Sequence, residues 1–198
     1  MTTAERNNFS DANDVDRIME IARANDNPHE LIHLVQDNAD AIFTWNYDKG
    51  ERAKLDKLYE KSKTSQWNAT TDLDWSIEVD PYEALNLQLE LQMDPSNVED
   101  PDSPLYSWGD KEWREFGLQS AKWRLSQFMH GEQGALLCTA KIVETVPWID
   151  AKSYAAQQTV DEARQVEAFA GYLKEMVDGG YPVIPHLRLL LEVIINDS

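Results

Sequence analysis

Positive charge is scarce in this chain: 18 lysines and arginines stand against 36 aspartates and glutamates, a formal net charge of −18. Nucleic-acid phosphates and anionic membrane surfaces demand the opposite sign, so the balance argues against both as partners and favours cations or basic partners. Cysteine is almost missing. With Cys138 alone, no disulfide framework can hold the fold, and a reducing compartment is compatible. Its apolar helical setting reads as a buried core thiol. Also lacking is any run approaching the ~18–20 apolar residues that span a bilayer. The N-terminus shows no charged-then-apolar signal pattern, so a cytoplasmic protein is the simplest expectation. No internal repeat and no alternating strand pattern can be found.

What is present points to one all-α domain. The 198 residues, 42% hydrophobic and 10% aromatic, suffice for a globular core. Residues 1–12 read as a polar, frayed tail and 13–109 as a layer of short helices and loops. Short amphipathic helices are expected over Asp14 to Ala24 and Pro28 to Asn38. A charged helix over Gly50 to Lys63 should turn Leu55, Leu58 and Tyr59 inward, and another short helix is expected near Pro81 to Leu91. The Asp/Pro/Ser-rich stretch Asp94 to Pro104 reads as a surface loop. The seven tryptophans, Trp45, Trp67, Trp75, Trp108, Trp113, Trp123 and Trp148, are expected mainly to anchor the layer on the helices below.

Residues 110–198 carry the longest helical periodicity. Helices over 111–146 and 151–178 are separated only by Pro147-Trp148-Ile149-Asp150, so they must run antiparallel. Glu132 lies about 14 residues before the turn and Glu162 about 11 after it, roughly 17–21 Å from the same end at ~1.5 Å per residue. Both interrupt apolar faces. The helical neighbours of Glu132 include Leu125, Phe128, Met129, Ala135, Leu136 and Thr139, and Glu162 heads the stripe Val166, Phe169, Leu173 and Met176. A buried carboxylate requires a proton, a cation or a metal, because desolvating an unpaired ion costs several kcal/mol. Spacing alone leaves a salt bridge to Arg164 or Lys122 and a metal site both open. Gly134, Ala135, Ala155, Ala156 and Ala168 would serve either ligand space or close helix packing.

The run Glu132-Gln133-Gly134-Ala135-Leu136, followed thirty residues on by Asp161-Glu162-Ala163-Arg164-Gln165-Val166-Glu167, resembles the first helix pair of ferritin-like, ribonucleotide-reductase-like di-iron carboxylate proteins. Within that superfamily it is most similar to the bacterial ferritin-like domain proteins. Asn38 to Trp45, Gln66 to Thr70 and Asp74-Trp75-Ser76 extend the likeness more weakly. The resemblance implies a ferritin-like bundle holding two irons, with a Glu from each of two helices and a Glu-x-x-His from each of the other two. Glu132 and Glu162 would be metal ligands, and Asp161 and Arg164 would orient ligands and balance charge. Gln165 stands where the superfamily usually carries His, so it replaces a ligand or supports one, with weaker iron affinity expected.

The other Glu and the other Glu-x-x-His motif are not found, so the chain is expected to be the front half of a bundle. A homodimer or a separate C-terminal half would complete it. The function so implied is a dioxygen-activating di-iron oxidoreductase, or half of one, acting on a small organic substrate. The alternative is a non-catalytic helical interaction domain with a degenerate site, in which Glu132 pairs with Arg164. A third reading, zinc hydrolysis through His29-Glu30-Leu31-Ile32-His33, has a poor context: Pro28 starts the helix immediately and no strand layer accompanies it. His130, two residues from Glu132, should face away from it. His186 should cap or pack, and Glu192 is a weak ligand candidate.

Overall fold

The longest helix is fixed at both ends by local chemistry. In the computed structural model, which describes residues 40–78, 80 and 100–197, this helix runs over Asp110–Thr145. At its start the Glu112 carboxylate accepts a 3.0 Å hydrogen bond from the Gly109 N–H, half of a capping box. Asp110 and Glu112 also place negative charge at the positive end of the helix dipole. At its finish Pro147 drives the preceding residue out of the helical region, and Val146 is extended with φ −78° and ψ 141°.

Including two short helices upstream, the described elements are α1 (Ala53–Ser62), α2 (Ala69–Asp72), α3 (Asp110–Thr145), α4 (Ile149–Val177) and α5 (Pro185–Asp197). Among the described residues there is no strand, and α3 and α4 pack as a long hairpin. The turn is shorter than expected. Helix α4 resumes at Ile149, so Ile149 and Asp150 belong to the helix rather than to the breaker.

That corner is held by charge. Asp150 is buried, accepts from the Ala151 N–H at 2.9 Å and lies 3.6 Å from the Arg52 guanidinium, which stacks over Trp148 at 4.0 Å. Lys152 donates to the Val143 and Glu144 carbonyls at 2.7 and 3.1 Å, so a cation covers the negative end of α3. At the far end of α4, Asp178 adopts the left-handed conformation (φ 55°), Gly179 follows at φ 95°, and the Gly179 N–H returns to the Leu173 carbonyl. Lys122 reaches across from α3 to the Asp178 carbonyl at 3.0 Å.

Small side chains let the two long helices approach: Ala121, Thr139, Ala151 and Ala155 are buried, with Leu173 and Val177 closing the end. Helix α5 packs on the outer side of α3, and α1 and α2 pack on α4. The connection to α5 is tied down by Ser126, fully buried, whose hydroxyl donates to the Lys122 carbonyl and accepts from the Tyr181 N–H at 2.8 Å. Buried Lys141 donates to the Ile195 carbonyl near the end of α5.

The N-terminal layer is partly as expected. Asn68 caps α2 by accepting from the Thr70 N–H, and Trp75 donates to the Ala69 carbonyl while its ring lies against Gly171. Trp75, and Trp67 through Arg164, therefore do anchor the layer, whereas Trp45 is 76% exposed and stacks with exposed Phe43. In α1, Leu55 and Tyr59 are half-buried but Leu58, off the centre of that stripe, is exposed. Cys138 is half-buried rather than a core thiol. The helices expected over Asp14 to Ala24, Pro28 to Asn38 and Pro81 to Leu91, and the His29-Glu30-His33 motif, lie outside the described residues.

Gly134 marks the closest approach of α5. A Cβ built there would fall inside the van der Waals envelope of the Leu191 side chain, while one at Gly131 on the same helix would meet nothing within 4 Å. Gly134→Leu should therefore overpack the α3–α5 contact and lower stability by about 1–3 kcal/mol. Gly131→Ala should raise it by up to ~1 kcal/mol through helix propensity alone. Urea unfolding of the two variants beside the parent chain measures both; equal effects would contradict this packing.

Candidate carboxylate-pair site

Midway along the hairpin the two glutamates singled out by spacing meet. Helix α3 supplies Glu132 and α4 supplies Glu162, both half-buried. The carboxyls lie within interaction range of each other, and Glu162 is pushed up to about 7 from an ordinary value of 4.5. Burial is the largest cause. The shared hydrogen bond with Glu132 follows, then the negative charges of Glu132 and Asp161. Two carboxylates this close cannot both ionise cheaply, so Glu162 keeps its proton up to about 7.

Gln165 completes the group. With its amide nitrogen turned to α3, it donates to both Glu132 oxygens, at 2.6 and 3.2 Å. Its role in this arrangement is to support a carboxylate rather than to offer a ligand oxygen. To ligate a cation, the amide would have to turn its oxygen inward.

The salt-bridge alternative places cations where the structure does not. Arg164 is 11% exposed at its side chain and pairs with Asp161 while donating to the Trp67 carbonyl at 3.0 Å, with the Trp67 ring 5.7 Å from its guanidinium. Lys122 serves the end of α4. The alternative of a salt bridge from Arg164 or Lys122 is not realised, since both cations are engaged elsewhere. On α4, Glu162 and Arg164 are two residues apart, about 200° around the helix, which turns the guanidinium toward the N-terminal layer. Asp161 acts on the pair through its charge.

The other acids and histidines lie elsewhere. His130 faces away from Glu132, its Nε2 3.0 Å from the Tyr181 carbonyl, as the two-residue offset predicts. Glu192 is engaged by Arg188 at 3.2 Å on α5, outside the hairpin, and His186 is exposed. Among the described residues no group of three or more His, Cys, Asp or Glu is placed to hold a metal ion. The donor set is therefore two carboxylates, with an amide beside them. Oxygen donors of this kind suit a hard cation and supply half of what a carboxylate-bridged metal pair requires.

Of the small residues, Gly134 and Ala155 are buried in helix contacts, whereas Ala156 is exposed. The Arg164–Trp67 tether has no signal in the sequence, because its partners are separated by 97 positions.

The proton on Glu162 sets a pH dependence. Its affinity is raised in the folded chain, so the folded state binds more protons than the unfolded state between about 4.5 and 7. Stability from this group is thus fully present below the unfolded value and is lost as pH rises through about 7. Glu162→Gln keeps the neutral form at every pH and should flatten that decline. At pH 8 it should exceed the parent chain by about 1–2 kcal/mol, scaled down for partial exposure, with little difference at pH 4.5. Thermal unfolding at the two pH values, without metal, tests this; parallel pH curves for the two proteins would refute the shared proton.

No family model matches the chain, and neither a curated protein nor a solved structure matches it.

Proposed function

We propose that the chain is a ferritin-like half-site, in which Glu132 and Glu162 hold iron and the remaining donors come from another chain or from sequence beyond these residues. One observation carries the reading. Two glutamates from consecutive antiparallel helices meet midway along an all-α hairpin, while Arg164 and Lys122 are committed elsewhere. A protonated carboxyl pair can exchange its proton for a cation, since metal ligands must be deprotonated.

The residues fit in part. Glu132 and Glu162 would be the ligands, Gln165 would hold Glu132 in place or rotate to add an oxygen, and Asp161 would contribute negative potential toward the cation. A carboxylate-bridged iron pair, when bound, supplies dioxygen activation for oxidation of a small organic substrate. The chain's own residues position the pair: Arg164 holds Asp161 and the Trp67 carbonyl beside it. This reading is of a cytoplasmic oxidoreductase or its N-terminal half.

A second reading has its own support. Gln165 and the shared proton already satisfy both carboxyls, which suits a helical interaction domain whose site no longer binds metal.

The two diverge in metal content. The chain, reconstituted anaerobically with ferrous iron and desalted, is compared with Glu132→Ala and Glu162→Ala by elemental analysis. Iron retained by the parent chain and lost at least ~tenfold in both variants is the expected result. Iron absent from all three would overturn the metal reading in favour of the interaction domain.

A further inference from the structure

Two sides of the α3–α4 hairpin, and one end of a third, are covered by described parts of this chain. Helix α5 lies outside α3 at Gly134, and α1, α2 and Trp75 lie outside α4. The connection to α5 crosses one edge at Ser126. Phe128 is two residues from Ser126, about 200° around α3, and so points to the opposite edge.

That opposite edge is apolar. Phe128, Ala135 and Ile142 follow one another at seven-residue spacing along α3, and Phe169, Tyr172 and Met176 continue the surface on α4. The Phe128 and Phe169 rings meet across the hairpin at 6.2 Å. Phe128 is nevertheless 53% exposed and Ile142 36%. Gln165 reaches Glu132 on this same side, so the carboxylate pair lies beneath the surface these residues form.

The geometry points to a second copy of this chain docked face to face on that edge, the two hairpins forming a four-helix bundle with their carboxylate pairs opposed. Two physical arguments select a copy. The first is area. The 29 residues of α4 span ~43 Å at ~1.5 Å per residue. Two helices side by side are ~20 Å wide, so the face offers roughly 800 Å² per partner, the size of a standard stable interface.

The second is position. Glu162 lies near the midpoint of Ile149–Val177, so a two-fold axis through the middle of the face brings the Glu132–Glu162 pairs of both copies to one centre. A site that is half-built within one chain would be completed by its equivalent. None of the six surface residues is charged, while each chain carries a net charge of −18. Two such chains repel, and four carboxylates at one centre repel further, so a divalent cation is the natural counterweight. That coupling to metal rests on the proposed iron site; the docking face rests on area, exposure and position.

Sedimentation equilibrium of the full chain at tens of micromolar, in excess chelator and with anaerobic ferrous iron, tests both. The expected result is a dimer with iron and at least ~tenfold weaker association in chelator. Phe128→Glu should be monomeric in both conditions with unchanged far-ultraviolet circular dichroism, and Phe128→Leu should pair as the parent chain does. Ile142→Arg provides an independent break of the same face. A monomer in both conditions, or a dimer indifferent to Phe128→Glu and Ile142→Arg, would overturn the docking proposal. A monomer that binds iron would do so while leaving the iron site standing. A dimer broken by both substitutions but unaffected by chelator and free of iron would support the face and reject the metal reading.

Discussion

Everything in this fold depends on the tight reversal at Val146-Pro147-Trp148. Because the reversal is so short, α3 and α4 have no freedom to slide, and each residue before it faces a fixed partner after it. Asp150, Arg52, Trp148 and Lys152 hold the corner from both sides. The depth at which Glu132 meets Glu162 follows from that constraint and from helix rise alone.

Electrostatics then gives the meeting its character. In a chain so short of positive charge, Lys122, Lys141 and Lys152 are turned to helix-end carbonyls, and Arg164 is turned to Asp161 and the Trp67 carbonyl. Each choice is locally favourable, since exposed carbonyls at a helix end carry partial negative charge. Together they turn these four cations away from the glutamate pair, where Glu162 holds its proton up to about 7. Such a site remains open to exchange, because a proton is a weaker and more pH-sensitive partner than a buried guanidinium.

The hairpin and the pair were legible in the sequence because both follow from local periodicity. Pro147 ends one helix, the apolar stripes set the facing sides, and counting residues gives the depth. The partner of Arg164 was not legible. Whether its guanidinium swings to Glu132 or to the Trp67 carbonyl depends on where a segment 97 positions away comes to rest. The same holds for α5, whose docking on the outer side of α3 turns on the fit of Leu191 over Gly134. Leu58 and Cys138 show the limit of hydrophobicity as a guide: each sits at the edge of a buried stripe, where helix rotation by a few tens of degrees decides exposure. Gln165 was legible as a departure from the usual histidine, but the sense of its amide was not.

The Arg164 tether ties two regions that are far apart in the chain. Its guanidinium binds the carbonyl of Trp67 and the carboxylate of Asp161, a direct neighbour of Glu162, while the Trp75 ring rests on Gly171 two turns further along α4. The hairpin is therefore not a self-sufficient unit carrying an ornamental N-terminal layer. Cutting the chain ahead of α3 would bare a guanidinium and a glycine notch at once, and would loosen the charge that sits beside the carboxylates. Residues 67–75 are better regarded as the outer wall of the site, built from sequence that contributes no ligand to it.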